Sequence, residues 1–236
     1  MIFYEDEFCL IVKKNPGEIC ESHNDSQKTD FSLVSRIVNE KKMSPSRFLG
    51  CVHRLDRPVF GLCLLAKSPA AYTEFTRLFA AGNVKKSYVA IVEGKFPNSE
   101  EKILEASLFY SLHKQKSYIL TEKSAQSMKD NSKISKTAFR IFGSCDRYSF
   151  VLARPLTGRT HQIRAQLANE GLIIKGDVKY GAKRSDRDFP IRLMAKTLQF
   201  RHPFTEEDVF VECDFPEDDS LWRLCGESYA VLRGLR

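Results

Sequence analysis

No apolar run in this 236-residue chain approaches the roughly 20 residues needed to span a bilayer. The first residues, Met1-Ile2-Phe3-Tyr4-Glu5-Asp6-Glu7, turn acidic at once and lack the layout of a secretory signal. There is no C-x-x-C pair, and the seven cysteines (Cys9, Cys20, Cys51, Cys63, Cys145, Cys213, Cys225) stand singly and odd in number. That usage argues against disulfides and a structural zinc site and fits a reducing cytoplasm. The five histidines, His23, His53, His113, His161 and His202, show no metal-ligand spacing. Internal repeats and clear linkers are also missing, which leaves one domain over residues 1–236 as the expectation.

What is present is a 42% apolar fraction, adequate for a core, and 28% charged residues of both signs. The net charge of +7 favours a polyanionic partner such as nucleic acid or an anionic membrane surface, although an ordinary basic protein would look the same by charge alone. Phe8 to Val12 reads as a buried strand closed by the Asn15-Pro16-Gly17 turn. Glu21 to Asp30 is polar loop, and Phe31 to Val38 a short helix. Gly61 to Lys67 reads as a strand. Ser68-Pro69 then caps and starts a helix that Gly82 stops. Lys86 to Val92 alternates as a strand. Tyr110 to Lys136 is a solvated loop or hairpin, or else a mobile basic flap over RNA. Thr137–Phe142 and Ser149–Arg154 form a hairpin. Thr160 to Glu170 is a helix with Thr160 as its cap and Gly171 as its stop. Further strands fall near Leu172–Ile174, Leu198–Phe200 and Val209–Val211. The class is α+β: a mixed, mostly antiparallel sheet with flanking helices and loops around a central cleft.

Three segments can carry chemistry. In His53-Arg54-Leu55-Asp56-Arg57 a lone carboxylate lies between arginines, a setting that keeps it ionised and orients it. It reads as a structural ion pair or as a nucleophile or base acting on an anionic substrate. In Arg154-Pro155-Leu156-Thr157-Gly158-Arg159-Thr160-His161-Gln162-Ile163-Arg164, Arg164 shares an inward helical face with Ile163 and needs a carboxylate partner, for which Asp56 is the natural candidate. In Lys85-Lys86-Ser87-Tyr88, a strand tyrosine beside lysines can stack on a base.

Together these segments resemble the RluA-type family of RNA pseudouridine synthases. The motif H-R-L-D-[RK]-x-T-S-G-L-L-L-L-A-K corresponds to His53 through Lys67. K-x-Y-x-A-x-V-x-G corresponds to Lys86 through Gly94, and T-G-R-T-H-Q-I-R-x-H-L-A to Thr157 through Ala168. G-x-P-I-x-G-D-x-x-Y-G corresponds to Gly171 through Gly181, and a weaker block to Leu193 through Pro203. The resemblance implies Asp56, Tyr88 and Arg164 as catalytic residues. It implies His53, Arg54, Arg57, Lys86, Arg159, Thr160, His161 and Ile163 as contacts to substrate RNA. It also implies base flipping, cleavage and re-formation of the uridine–ribose link through carbon, no cofactor and no metal.

Ribosomal or transfer RNA is the expected partner, with no obligate protein partner, and the chain is expected to be a monomer. Because the catalytic pattern begins near Met1, no separate RNA-binding domain is expected ahead of it. The sequence departs from the pattern at Val59 and Phe60, which replace hydroxyl residues, at Asn15-Pro16, where the proline is displaced by one, and at Gln166 and Met194, which replace histidines. The alternatives are a non-catalytic RNA chaperone on the same fold, and a two-carboxylate glycosidase, for which Asp177 is the nearest second acid.

Overall fold

A computed structural model describes residues 1–21, 32–44, 47–186 and 189–234. In chain order the elements are β1 (Ile2–Glu5), β2 (Cys9–Lys14), α1 (Leu33–Glu40), β3 (Gly50–Cys51), β4 (Phe60–Ala66), α2 (Pro69–Ala80) and β5 (Lys85–Glu93). They continue with β6 (Lys102–Ser111), β7 (Lys116–Ile119), α3 (Gln126–Asp130), β8 (Lys133–Ser144), β9 (Tyr148–Pro155) and α4 (Gln162–Asn169). A 3-10 turn at Val178–Tyr180 precedes β10 (Leu193–Arg201), β11 (Asp208–Glu212) and α5 (Ser220–Leu232). The polar segment 22–30 and the start of the first expected helix at Phe31 lie outside the described residues.

The chain divides into two compact units. The first comprises Met1–Lys86 and Met194–Cys213. Its central strands β2 and β4 pair antiparallel from Cys9↔Ala66 to Lys14↔Gly61. All seven residues of β4 are buried, as expected of an unbroken apolar strand covered on both faces. β10 joins β4 in parallel through Met194↔Phe60 and Ala195↔Gly61 and pairs antiparallel with β11. Gly61 is required at this contact. Its φ is +112°, and a Cβ there would strike the Ala195 carbonyl and lie 2.7 Å from the Ala195 nitrogen. α2 follows its sequence signals. Ser68 accepts the Ala71 N–H at 3.1 Å, Pro69 opens the helix, and Gly82 turns the chain out with φ +76°.

The second unit comprises Ser87–Leu193 and Asp214–Arg236. It is an antiparallel sheet in the order β5-β9-β8-β6-β7. The expected hairpin is β8–β9, and in the basic 110–136 stretch the end of β6, all of β7 and the start of β8 are strand-paired, with α3 between β7 and β8. α5 packs on β8 by placing Tyr229 edge-on to Phe142, while Trp222, fully buried, sits between Phe189 and Phe215. α4 buries Ala165 with Leu108 and Tyr180.

Two expectations are corrected. α4 is not capped by Thr160. The residue before it, His161, is left-handed (φ 55°), and the carbonyl of the exposed Thr160 instead accepts the Ser117 hydroxyl at 2.6 Å. Leu172–Ile174 is not a strand but a single bridge, Ile174↔Val92. The Leu172 amide still closes the helix end on Leu167, and Gly176, at φ +86°, turns the chain away.

Candidate active site

In the first unit Asp56 lies on the loop between β3 and β4. A one-turn bond, Val59 N–H to Asp56 carbonyl at 2.9 Å, shapes this loop. Its main anchor is Lys14, whose side chain is fully buried at the end of β2. The ammonium donates to Val59 O (2.6 Å), Arg57 O (3.0 Å) and Asn15 O (3.2 Å), so all three of its protons are used. Burial pulls this ammonium below its usual range, while neighbouring Cys20, Cys63, Glu18 and Asp56 act to keep it charged. After the displaced proline, Gly17 has φ +79°; its N–H reaches Arg57 O (3.0 Å) and its carbonyl accepts from Arg57 Nε (3.0 Å). On the other side of Asp56, the Leu55 amide donates to Cys20 Sγ at 3.3 Å.

The unusual Val59 and Phe60 are core residues, 3% and 0% exposed. The loop needs no hydroxyls there because its anchoring bonds run through main-chain carbonyls. His53 accepts the Leu64 N–H on Nε2 (3.2 Å) and stacks on Phe79, with ring centroids 4.6 Å apart; the Lys86 ammonium sits over the same Phe79 ring at 5.3 Å. Burial, reinforced by the Lys86 charge, pulls the His53 pKa down to about 4, so the ring is neutral at pH 7. Arg54 and Arg57 are exposed.

In the second unit Tyr88 lies on β5 opposite Ala153 of β9. Arg164, 4% exposed, is on α4. It donates from Nε and Nη2 to Asp177 at 2.7 and 2.8 Å, a two-pronged pair. Its guanidinium also lies 4.9 Å from the centre of the Tyr180 ring. Asp177, 1% exposed, is therefore spent on Arg164, which removes it as the second acid of a glycosidase.

The Tyr180 hydroxyl takes the Ser117 N–H at 2.8 Å and lies 3.0 Å from His161 Nδ1, tying the turn before α4 to β7. Gln162 joins four groups. Its oxygen accepts the Thr157 hydroxyl (2.7 Å) and the Arg159 amide (3.0 Å), and its nitrogen donates to Lys136 O (2.9 Å) and Thr137 Oγ1 (2.8 Å). Gln166, in place of the family's histidine, accepts the Thr137 hydroxyl at 2.6 Å and donates to Leu104 O (3.0 Å) and Ser135 O (3.3 Å). Every polar end in this buried layer that is named here has a partner, as a stable polar network demands. Arg159 and Thr160 stay exposed and Ile163 is buried.

Sequence reasoning did not single out Lys14, Gln162 or Tyr180 and gave Asp177 only as the nearest second acid of a glycosidase. Asp177 and Tyr180 do belong to the G-D-x-x-Y-G pattern, so the signal was present without a role attached.

These motifs and this fold define an enzyme class. Residues 9–169 match the family model described as RNA pseudouridylate synthase, and the chain belongs to that family. Ribosomal large subunit pseudouridine synthase C of Vibrio parahaemolyticus is 31% identical, covering 100% of this chain and 69% of the relative. The protein of the same name in Escherichia coli K12 is 31% identical over 94% of this chain and 68% of its own length. The chain thus spans about two thirds of these relatives. Human RNA pseudouridylate synthase domain containing 1 shares the fold, with TM-score 0.74, 24% identity, and coverage of 97% of this chain and 94% of that one.

Proposed function

We propose that this chain isomerises uridine to pseudouridine in structured RNA, with Asp56 as the catalytic carboxylate, Tyr88 and Arg164 as its catalytic partners, and residues 1–236 acting as one catalytic domain. The observation that carries the reading is the family match over residues 9–169, which contains the Asp56 loop anchored by Lys14 and the α4 segment anchored by Gln162 and Asp177. Ribosomal RNA is the favoured substrate, since the relatives carry a large ribosomal subunit in their names; transfer RNA is the second choice. A net charge of +7 supports a phosphate-rich partner.

In this mechanism the target uridine leaves its stack, at a cost of a few kcal/mol. The Asp56 carboxylate assists cleavage of the bond from base nitrogen to ribose, as nucleophile or base at the sugar. The base turns within the pocket and rejoins through a ring carbon. The proton displaced from that carbon is removed with the help of Tyr88. Substrate and product have the same atoms and oxidation level, so the reaction balances without a redox partner. His53, Arg54, Arg57, Lys86, Arg159, Thr160, His161 and Ile163 form the proposed surround of the RNA. Of these, Arg54, Arg57, Arg159 and Thr160 are exposed to meet it, His53 is half-buried and Ile163 is buried.

We further infer a monomer working in the cytoplasm. Seven free thiols fit a reducing compartment, and among the described residues no helix is long and apolar enough to cross a membrane.

Tritium release from ring-labelled uridine in ribosomal RNA tests the reading. Asp56→Asn is expected to lower turnover on the order of 10⁴-fold or more while RNA binding persists. Turnover retained by this variant rejects Asp56. An inactive wild-type chain that still remodels RNA favours the chaperone alternative.

A further inference from the structure

Three cysteines separated by 31 and 12 residues meet in the core of the first unit. Cys20 follows the Gly17 turn, Cys51 is on β3 and Cys63 is on β4. Their sulfurs all lie within 4.8 Å of one another, and the residues are 4%, 3% and 0% exposed. The absence of C-x-x-C hid this grouping from sequence reading, because the β3–β4 pairing and the loop to Cys20 create it. Among the described residues the other group of this kind is Asp6, Cys9 and His202, in which Asp6 already accepts the Phe8 and Cys9 amides at 2.7 Å and lies 3.0 Å from His202 Nε2. The three thiols donate only long bonds to main-chain carbonyls, Cys20 to Leu55 O (3.6 Å), Cys51 to Cys20 O (3.5 Å) and Cys63 to His53 O (3.5 Å), and among the described residues no carboxylate or imidazole is paired with them.

We propose that Cys20, Cys51 and Cys63 form an all-sulfur site for a thiophilic divalent cation of the Zn²⁺ class, set behind the loop that carries Asp56.

Geometry supports this. Thiolates about 2.3 Å from a tetrahedral zinc stand roughly 3.8 Å from each other, so the three sulfurs need to close by at most about 1 Å. Soft sulfur donors select zinc-like or copper-like ions over magnesium or calcium. Charge points to a divalent ion. Three thiolates and one M²⁺ leave a single negative charge, and the Lys14 ammonium, buried in the same core and in electrostatic contact with Cys20 and Cys63, offsets it. A surrounding layer is also present: the Leu55 N–H already points at Cys20 Sγ (3.3 Å), the kind of outer bond that orients a metal-bound sulfur. Binding replaces three S–H protons by the ion and releases them to solvent, so affinity rises with pH. Three protein ligands leave the fourth zinc position to water or another donor. The ion would cross-link the 17–20 turn, β3, β4 and, through Leu55, the residue before Asp56.

The test uses the full chain, reduced and stripped by a chelator, and needs no RNA, so it stands apart from the proposed activity. Cd²⁺ is titrated while the ultraviolet thiolate-to-cadmium band is followed, and bound Zn²⁺ is counted by mass spectrometry after dialysis. One ion per chain, a higher melting temperature with metal, and a sulfur shell at about 2.3 Å in zinc X-ray absorption are expected. Cys51→Ser and Cys63→Ser should each weaken binding at least tenfold, while Cys145→Ser and Cys225→Ser leave it unchanged. Should the core variants fail to fold, the absorption spectrum of the wild-type chain decides: a nitrogen and oxygen shell overturns the site. So does a reduced chain that retains no ion, even if its thiols form a disulfide in air.

Discussion

The two segments proposed to carry the chemistry are held in opposite ways. The Asp56 loop is fixed through its main chain: Lys14 gathers three carbonyls, Gly17 and Arg57 exchange two bonds, and the Leu55 amide rests on a sulfur. The α4 segment is fixed through side chains: Gln162, Gln166, Thr137, Asp177 and Tyr180 each meet a specific partner. A loop held by carbonyls tolerates changes in its own side chains, which explains how valine and phenylalanine can follow Asp56 without loosening it. A helix held by side chains has no such latitude.

This contrast is broken most forcefully at Asp177. Asp177→Asn removes the two-pronged carboxylate partner of the buried Arg164 and should cost about 3–5 kcal/mol, read by urea denaturation. A loss under about 1 kcal/mol would show that Arg164 is neutralised elsewhere.

His53 sharpens the contrast by pH. Its ring stays neutral in the fold down to about 4, whereas in the unfolded chain it takes a proton below about 6.5. The unfolded state therefore binds more protons between these values. Stability should fall by up to about 3 kcal/mol as pH drops from 6.5 to 4, and level off below. Hydrogen bonds from Lys41 and Lys67 hold the Glu5 carboxyl below its usual range, so its contribution is lost only at still lower pH. Melting curves of His53→Gln should be flatter across that window; an unchanged slope would assign the effect to another group.

Lys14→Met should have a smaller effect on stability, about 1–3 kcal/mol, because the lost carbonyl bonds are partly offset by no longer burying an ammonium. Its effect on turnover should exceed its effect on folding, on the order of 10²-fold, since a displaced Asp56 loop misplaces the carboxylate. Equal losses in both would make Lys14 merely structural. The smallest effect expected is at Gln166→Leu, about 1–2 kcal/mol by melting, with Leu104 and Ser135 carbonyls left unmet.

Legibility in the sequence follows the same division. β4 was visible as an unbroken apolar run, α2 through Ser68, Pro69 and Gly82, and Asp56 and Arg164 through the motifs around them. α5 was missed although Trp222, Cys225 and Tyr229 lie on one face and Asp219 caps it, accepting the Trp222 N–H at 2.8 Å; the central Gly226 and flanking acids mask the period. β6 was missed because its alternation is weak along a half-exposed strand. The choice of Asp177 by Arg164, the three carbonyls of Lys14 and the meeting of three thiols depend on strand register and turns, which local pattern does not encode.

The parallel seam at Gly61 has a bearing on biosynthesis. Met194 and Ala195, which fill this edge of β4, belong to a stretch translated long after β4 itself. Until that stretch leaves the ribosome, a seven-residue apolar strand keeps part of one flank uncovered, an invitation to stray pairing with neighbouring chains. Nascent chains halted before residue 194 should therefore need a holding chaperone that the finished protein does not.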